Sequence, residues 1–540
     1  MSEEFVVEGL SPLQPVKEIS LGQNIYQSLL SYKGKHPALI NGTTGEHMTY
    51  AELLTRTCSL AEAMRTCGYG TDTTVLVSSK NHLQFFVPVI ASLYIGARVT
   101  TMNPAYTKSE LVHVVKISEP NIVFCSEDIV EKYAKVKEKV DFIERIVAID
   151  SSVSTSEAVS LDDFIGRNIR KNVSRILTTP VDTREHVAFI LYSSGTTGLP
   201  KGVMLTHRNI NAMFLILQDP RLHKKDVRAL CVLPFFHGYG LLTTLTAINK
   251  QALTVFLNEF NPRVYLQSLQ DYKITRLYLA PSLLVFLAKS PLVLEYDLSS
   301  VNEAFCGAAP LKKSMEEEFK RRCNLESIRQ AYGLTESTLA VTISGTETVK
   351  PKPGSSGKVA PYNRVAIRDL ETGKFLGPNK EGEICIKGDM VMKGYCGNPE
   401  ATKNTFTEDG WLLTGDVGYY DEDGDFFITD RLKELIKYKG FQVAPAELEA
   451  ILLTHPEITD SGVIGVPHEI AGEVPFAFVV KTEKSNLSEK DVQEFVKERL
   501  SPQKWIRGGV RFVKTIPKNP TGKVLRRELR KIMKQYQSKL

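Results

Sequence analysis

The densest group of chemically capable residues is the run Tyr192-Ser193-Ser194-Gly195-Thr196-Thr197-Gly198-Leu199-Pro200-Lys201-Gly202, directly after an apolar stretch ending at Leu191. Its glycines leave the backbone free to turn N–H groups onto an anion. The hydroxyls of Ser193, Ser194, Thr196 and Thr197 add donors, and Lys201 adds a full positive charge. That chemistry suits a phosphate cradle. It is not a Walker A loop, because Gly202 rather than Ser or Thr follows Lys201 and the glycine spacing differs. A plain hairpin loop is the alternative.

Four further segments carry groups of the same kind. Ala331-Tyr332-Gly333-Leu334-Thr335-Glu336-Ser337-Thr338 sets a ring, a hydroxyl and a carboxylate close together, able to stack on a purine, bond a phosphate and hold a divalent cation. A helix start, with Thr335 as cap and Glu336 in the first turn, explains the same residues. In Trp411-Leu412-Leu413-Thr414-Gly415-Asp416 the carboxylate can accept from both hydroxyls of a ribose, or simply close an Asx turn. Pro517-Lys518-Asn519-Pro520-Thr521-Gly522-Lys523-Val524 is a turn that presents Lys523 at its exit, where a lysine is ordinarily just a solvated charge. His237, within Phe235-Phe236-His237-Gly238-Tyr239-Gly240, reads on its own as a core histidine.

These segments need a scaffold, and the rest of the chain supplies one. Runs such as Thr74-Val75-Leu76-Val77, Asn121-Ile122-Val123-Phe124 and Val187-Ala188-Phe189-Ile190-Leu191 alternate with helical patterns over 50–68 and 108–118, which predicts an α/β protein with largely parallel strands. At 540 residues the chain exceeds what one core supports, so at least two domains are expected. The texture changes after the acidic turn Asp421-Glu422-Asp423-Gly424-Asp425, and a boundary is placed near 430. The last 110 or so residues predict a small α+β domain, with strands at 461–466 and 476–480 and helices at 446–454 and 489–500.

Composition excludes several classes. The apolar share of 42% and charged share of 24% are those of a folded soluble protein, and the net charge of +5 is too small and dispersed to mark a nucleic-acid partner. Eight cysteines without a CxxC pair, and His468-Glu469 without a second His four residues on, point to neither a disulfide framework nor zinc. The longest apolar run, Phe85 to Gly96, is too short to span a bilayer, and the acidic start is no signal peptide. The sequons at Asn41, Asn172 and Asn486 then read as chance matches. Ser538-Lys539-Leu540 reads as a type-1 peroxisomal address, with an import receptor as partner and the peroxisome as location.

Taken jointly, the segments 193–202, 331–337, 411–416, 430–442 and 517–523 resemble, in order and separation, the adenylate-forming superfamily of acyl-CoA synthetases, 4-coumarate:CoA ligases and beetle luciferases. The likeness covers essentially the whole chain and is greatest to insect luciferase-like fatty acyl-CoA synthetases. It implies a large N-terminal domain of layered sheets and helices, 1–430, for ATP and acyl group. A small mobile α+β lid, 431–540, would rotate between two catalytic poses. By the same resemblance ATP is held by Ser193, Ser194, Gly195, Thr196, Thr197, Gly198 and Lys201, by Gly307, Ala308 and Ala309, by Gln330 through Thr335 (Ala331, Tyr332, Gly333, Leu334), and by Asp416 and Arg431. Glu336 would carry Mg2+. His237, Gly238, Tyr239, Thr243, Met213 and Leu339 would surround the acyl group, with His237 between its carboxylate and the nucleotide. Lys523 matches the family's adenylation lysine. Lys437, Tyr438, Lys439 and Gly440 match the lid face turned inward for coenzyme A, and Asp430, Arg431 and Lys433 match the hinge.

The chemistry agrees with those assignments. Attack of a carboxylate on an α-phosphate builds charge that a lysine on a mobile turn can meet in one pose. A carboxylic acid with pKa near 4 is already an anion, and a thiol near 8.5 needs little help, so the lack of a Ser-His-Asp set or GxSxG elbow is no obstacle. Where luciferases carry an Arg after the HRN segment this chain has Met213, and where they carry a small hydroxyl residue it has Leu339. Both changes favour an alkyl chain and hence a medium- to long-chain fatty acid:CoA ligase. The alternatives are a luciferase-type monooxygenase, a 4-coumarate-like aryl-CoA ligase, and a silent nucleotide-binding scaffold.

Overall fold

A computed structural model describes residues 4–169, 173–193, 200–222, 227–279, 281–306, 313–323, 325, 328–345, 352–438, 441–468, 471–483, 485–500, 502–519 and 522–537. Ser194 to Gly198, Gly307 to Ala309, Lys439, Gly440 and Ser538 to Leu540 therefore lie outside the described residues.

Four sheets organise the described chain. In the eight-stranded sheet, Val187–Ser193, Arg98–Thr101, Thr74–Ser78, Ile122–Cys125, Arg145–Ala148 and Val159–Ser160 run parallel. Lys201–Thr206 then turns back antiparallel on Val187–Ser193. Thr74–Ser78 and Ile122–Cys125 are buried at every position, as strands covered on both faces must be. One face packs the helices Leu21–Ser31, Tyr50–Thr66 and Phe86–Tyr94, and the other packs Lys108–Ser118 and Val130–Lys137. Two of these helices begin where the sequence says they should. Thr49 with Glu52, and Thr107 with Glu110, form reciprocal capping boxes that satisfy the first free N–H groups.

The nine-stranded sheet holds a parallel set from Ile328–Tyr332 through Glu303–Cys306, Arg276–Leu279, Arg228–Cys231 and Leu253–Phe256 to Leu39–Asn41. A six-stranded antiparallel sheet comes next, ending on Leu412–Tyr420 and Phe426–Arg431. The acidic turn after Tyr420 is not simply solvated, because Lys352 pairs with Asp421 (2.5 Å) and Asp423 (2.6 Å). The five-stranded sheet is built on the hairpin Ile458–His468 and Gly472–Lys481, longer than the strand patterns suggested. With the helices Pro445–Leu452, Glu489–Lys497 and Arg526–Gln537 it encloses a separate apolar core running from Ile436 to Met533.

Of the two readings of the segment around Thr335, the helix start does not hold. No α-helix begins at Thr335: Thr335–Ser337 is a single 3₁₀ turn, preceded by Leu334 and closed by Thr338 and Leu339 at φ +52° and +78°. The chain must double back so that Val341 N–H reaches Tyr332 O at 2.9 Å and Thr342–Ile343 pairs antiparallel with Ile328–Tyr332. Pairing overrides local helix preference there.

Candidate active site

Ligands of open α/β sheets gather beyond the carboxyl ends of parallel strands. Ser193 ends one such strand and Gly333 comes just after another, and both line a cavity of about 760 Å³. The same cavity is lined by Lys201, His237, Thr335 and Glu336, and by Lys523 from the C-terminal region, so segments separated by more than 300 residues converge. A second cavity, of about 740 Å³, is lined by Gln330, Tyr332 and Asp416 and shares Ala331, Gly333, Arg431 and Lys523 with the first.

Glu336 is held rather than loose. Its Oε1 accepts from Ser193 Oγ at 2.7 Å and from Tyr395 Oη at 3.0 Å, while Oε2 accepts no hydrogen bond among the described residues. That leaves a hard anionic oxygen on a residue of the cavity wall, the donor type Mg2+ takes. Lys201 stands over the Tyr395 ring at 4.8 Å, so Tyr395 positions both the carboxylate and the cation. Asp416 meets Tyr332 Oη at 2.8 Å and Arg431 Nε at 3.0 Å, so its carboxylate is no Asx-turn closer. A carboxylate has about four acceptor sites, which leaves room for further donors.

His237 caps the helix Gly238–Asn249, its Nδ1 accepting the Tyr239 N–H at 3.3 Å. Burial pushes its pKa down to about 4. The ring is thus neutral near pH 7 and, with Nδ1 accepting, keeps its proton on Nε2. Lys523 leaves a turn in which Gly522 at φ +83° donates to Asn519 O at 2.9 Å, a conformation that favours glycine. It is not a solvated lysine: burial, aided by Arg431, pushes it down to about 8 against the pull of Glu434 and Asp416.

The acyl residues divide. Tyr239, Thr243 and Leu339 line the first cavity with Leu217, Tyr278 and Phe305, whereas a Cβ on Gly238 would lie 3.8 Å from Leu339 Cδ2. Gly333 is required, since a Cβ there would sit 1.6 Å from the Leu339 carbonyl oxygen. Met213 does not line either cavity. It is fully buried in the main apolar core on the helix His207–Gln218, whose packing face it completes, so its effect on pocket polarity is withdrawn. Lys433 lines the first cavity, but Lys437 and Tyr438 line neither: Lys437 is exposed on the strand Ile436–Tyr438, and its N–H donates to Glu473 at 3.0 Å.

A buried ionic network carries no motif that would have announced it. Glu303 pairs with both Arg276 and Arg329, and the Phe305 ring lies between the guanidiniums at 5.2 and 4.4 Å. The only signal in the sequence is a set of single charges on three apolar strands, Arg276–Leu279, Glu303–Cys306 and Ile328–Tyr332. Their adjacency is not legible there.

Comparison with known proteins places this geometry. A family model described as AMP-binding enzyme matches residues 28–396, and one described as AMP-binding enzyme C-terminal domain matches 447–523. The chain is 46% identical to a luciferin 4-monooxygenase of Nipponoluciola cruciata, over 100% of this chain and 99% of that one. It is 38% identical to peroxisomal OPC-8:0-CoA ligase 1 of Arabidopsis thaliana, over 96% and 94%. Among solved structures, ATP-bound MatB from Rhodopseudomonas palustris superposes with a TM-score of 0.84 at 29% identity, covering 94% of this chain and 98% of that one.

Proposed function

We propose that this chain, which belongs to the AMP-binding enzymes of the adenylate-forming superfamily, is a fatty acid:CoA ligase that works through an acyl-adenylate. The observation that carries the reading is the meeting of Lys523 with Ser193, Lys201, Glu336 and His237 around one cavity, part of whose wall is the apolar and aromatic set Leu217, Tyr239, Tyr278, Phe305 and Leu339. In it, ATP occupies the space beside Tyr332, Gln330 and Asp416, the phosphates reach the junction at Lys523 and Thr335, and the alkyl chain lies along Tyr239, Phe305 and Leu339.

The acid's carboxylate oxygen bonds to the α-phosphorus as the bond to pyrophosphate breaks. Lys523 meets the charge that develops there, and the neutral His237 donates from Nε2 to the acyl oxygen. Mg2+ at Glu336, when bound, supplies neutralising charge to the phosphates. In the second step the thiol sulfur of coenzyme A bonds to the acyl carbon, AMP leaves with the acyl–oxygen bond pair, and the thiol proton passes to solvent. Lys437, exposed on the strand Ile436–Tyr438 and outside both cavities, is suited to that step only after the region turns. In this reading the N-terminal domain spans 1–430 and the mobile lid 431–540, with Lys433 at the hinge. Ser538-Lys539-Leu540 would direct the enzyme to peroxisomes.

A second reading, luciferin oxidation, is favoured by the identity to luciferin 4-monooxygenases. With Met213 set aside, the case for an alkyl substrate rests on Leu339 and its apolar neighbours. Burying a ring's polar atoms there without partners costs about 1–3 kcal/mol each, whereas each buried methylene contributes roughly 0.8 kcal/mol. A panel of acids scored for pyrophosphate release with and without CoA, with luciferin and light detection included, decides. Laurate and oleate should give thioester with little light; strong light with no turnover of fatty acids would promote the monooxygenase.

A further inference from the structure

Behind the acyl end of the first cavity lies a third, of about 570 Å³, and the two share Leu217, Thr243 and Tyr278 as walls. A partition of three side chains is one that rotamer changes can open. The rear space is not apolar. Lys250, just after the helix Gly238–Asn249, and Arg276, opening the strand Arg276–Leu279, both line it. Arg276 Nε donates to Glu303 at 2.6 Å, and its Nη2 lies near the same carboxylate without an aligned hydrogen bond. Glu303 also serves Arg329. Lys250 Nζ donates to the Leu217 carbonyl at 2.7 Å and makes no ion pair among the described residues. Three cations thus face one carboxylate. The other charged and titratable residues of the wall are His36, Arg228 and Asp271, exposed at its outer rim, where Asp271 already accepts from Gln267 at 2.7 Å, and the half-buried Tyr272 and Tyr278.

A half-buried cation without an ion-pair partner is costly, and burial together with Arg276 pushes Lys250 down to about 8 against the pull of Glu303. An acyl chain ending in a methyl group leaves that cost in place. One ending in an anionic oxygen removes it and can accept from the two Lys250 donors that have no acceptor among the described residues. We infer that, granted the acyl-CoA ligase reading above, this rear cavity takes the far end of the substrate, and that Lys250 with Arg276 selects acids bearing a second carboxylate there, the α,ω-dicarboxylic acids.

The test pairs acids of equal length on the purified full chain: decanoic with decanedioic, lauric with dodecanedioic, palmitic with hexadecanedioic. Pyrophosphate release and thioester formation are measured for each. At the length that spans the cavity, kcat/KM should favour the diacid. Lys250→Leu should lower the diacid-to-monoacid ratio by about ten- to a hundredfold, the range of a charge-assisted hydrogen bond, and Lys250→Arg should restore part of it. Turnover of monoacids with no diacid preference at any length, or a ratio unmoved by Lys250→Leu, overturns this inference and leaves the ligase reading standing. No turnover of either series removes both. The wild-type ladder decides even if the variants fold poorly.

Discussion

Replacing Lys523 is the sharpest probe of the site, because its position makes both a magnitude and a pH signature predictable. Its ammonium reaches the shared wall of two cavities from a turn 91 residues beyond Leu432, at the other end of the C-terminal region. If it stabilises charge on the α-phosphate in a site that excludes water, its loss should cost about 10²–10³-fold in adenylation, the scale of one preorganised donor, or about 3–4 kcal/mol. Conversion of a preformed acyl-adenylate to thioester should be nearly spared in Lys523→Ala. The pH signature comes from burial. A lysine pushed down to about 8 is about nine-tenths protonated at pH 7 and about one-tenth at pH 9. Adenylation needs the protonated form, so kcat/KM for pyrophosphate release, which reports the free enzyme, should fall as pH rises through about 8. Lys523→Ala should lack that alkaline limb. Rapid-quench assays of each half-reaction across pH 6–10 measure both. Equal losses in the two half-reactions, or an alkaline limb that survives the substitution, would refute the assigned role.

Three other outcomes are expected. Lys437→Ala should leave pyrophosphate release intact and slow thioester formation in stopped-flow transfer assays, since Lys437 is exposed and outside both cavities; unchanged transfer would remove it from the site. Glu303→Gln leaves Arg276 and Arg329 buried without their carboxylate and should cost about 3–5 kcal/mol in urea unfolding, so a loss below about 1 kcal/mol would mean the network is not what holds those strands. Deleting Ser538-Lys539-Leu540 should leave a fluorescently tagged enzyme active in the cytosol, and continued peroxisomal import would show that the address lies elsewhere.

Local chemistry was legible in the residues themselves. The glycine- and hydroxyl-rich run before Lys201 points to a proposed phosphate cradle, and Thr49 with Glu52 and Thr107 with Glu110 mark helix starts, because caps and glycine turns act over a few residues. Length and β-branched composition likewise distinguish Thr74–Ser78 from the helix Tyr50–Thr66. What no segment states is which distant segment it will meet. Asp416 finds Tyr332 and Arg431, and Glu336 finds Ser193 and Tyr395, only once strand register is set across separations of up to 143 residues. The same register turns Thr335 into a tight turn instead of a helix start, stacks Arg276, Glu303 and Arg329 on adjacent strands, and sends Met213 into the core while leaving Leu339 on the cavity wall. Burial then changes the chemistry of groups whose type was plain from the start: it leaves His237 neutral and draws Lys523 down to about 8, because the cost of a charge depends on the surroundings that tertiary packing alone assembles.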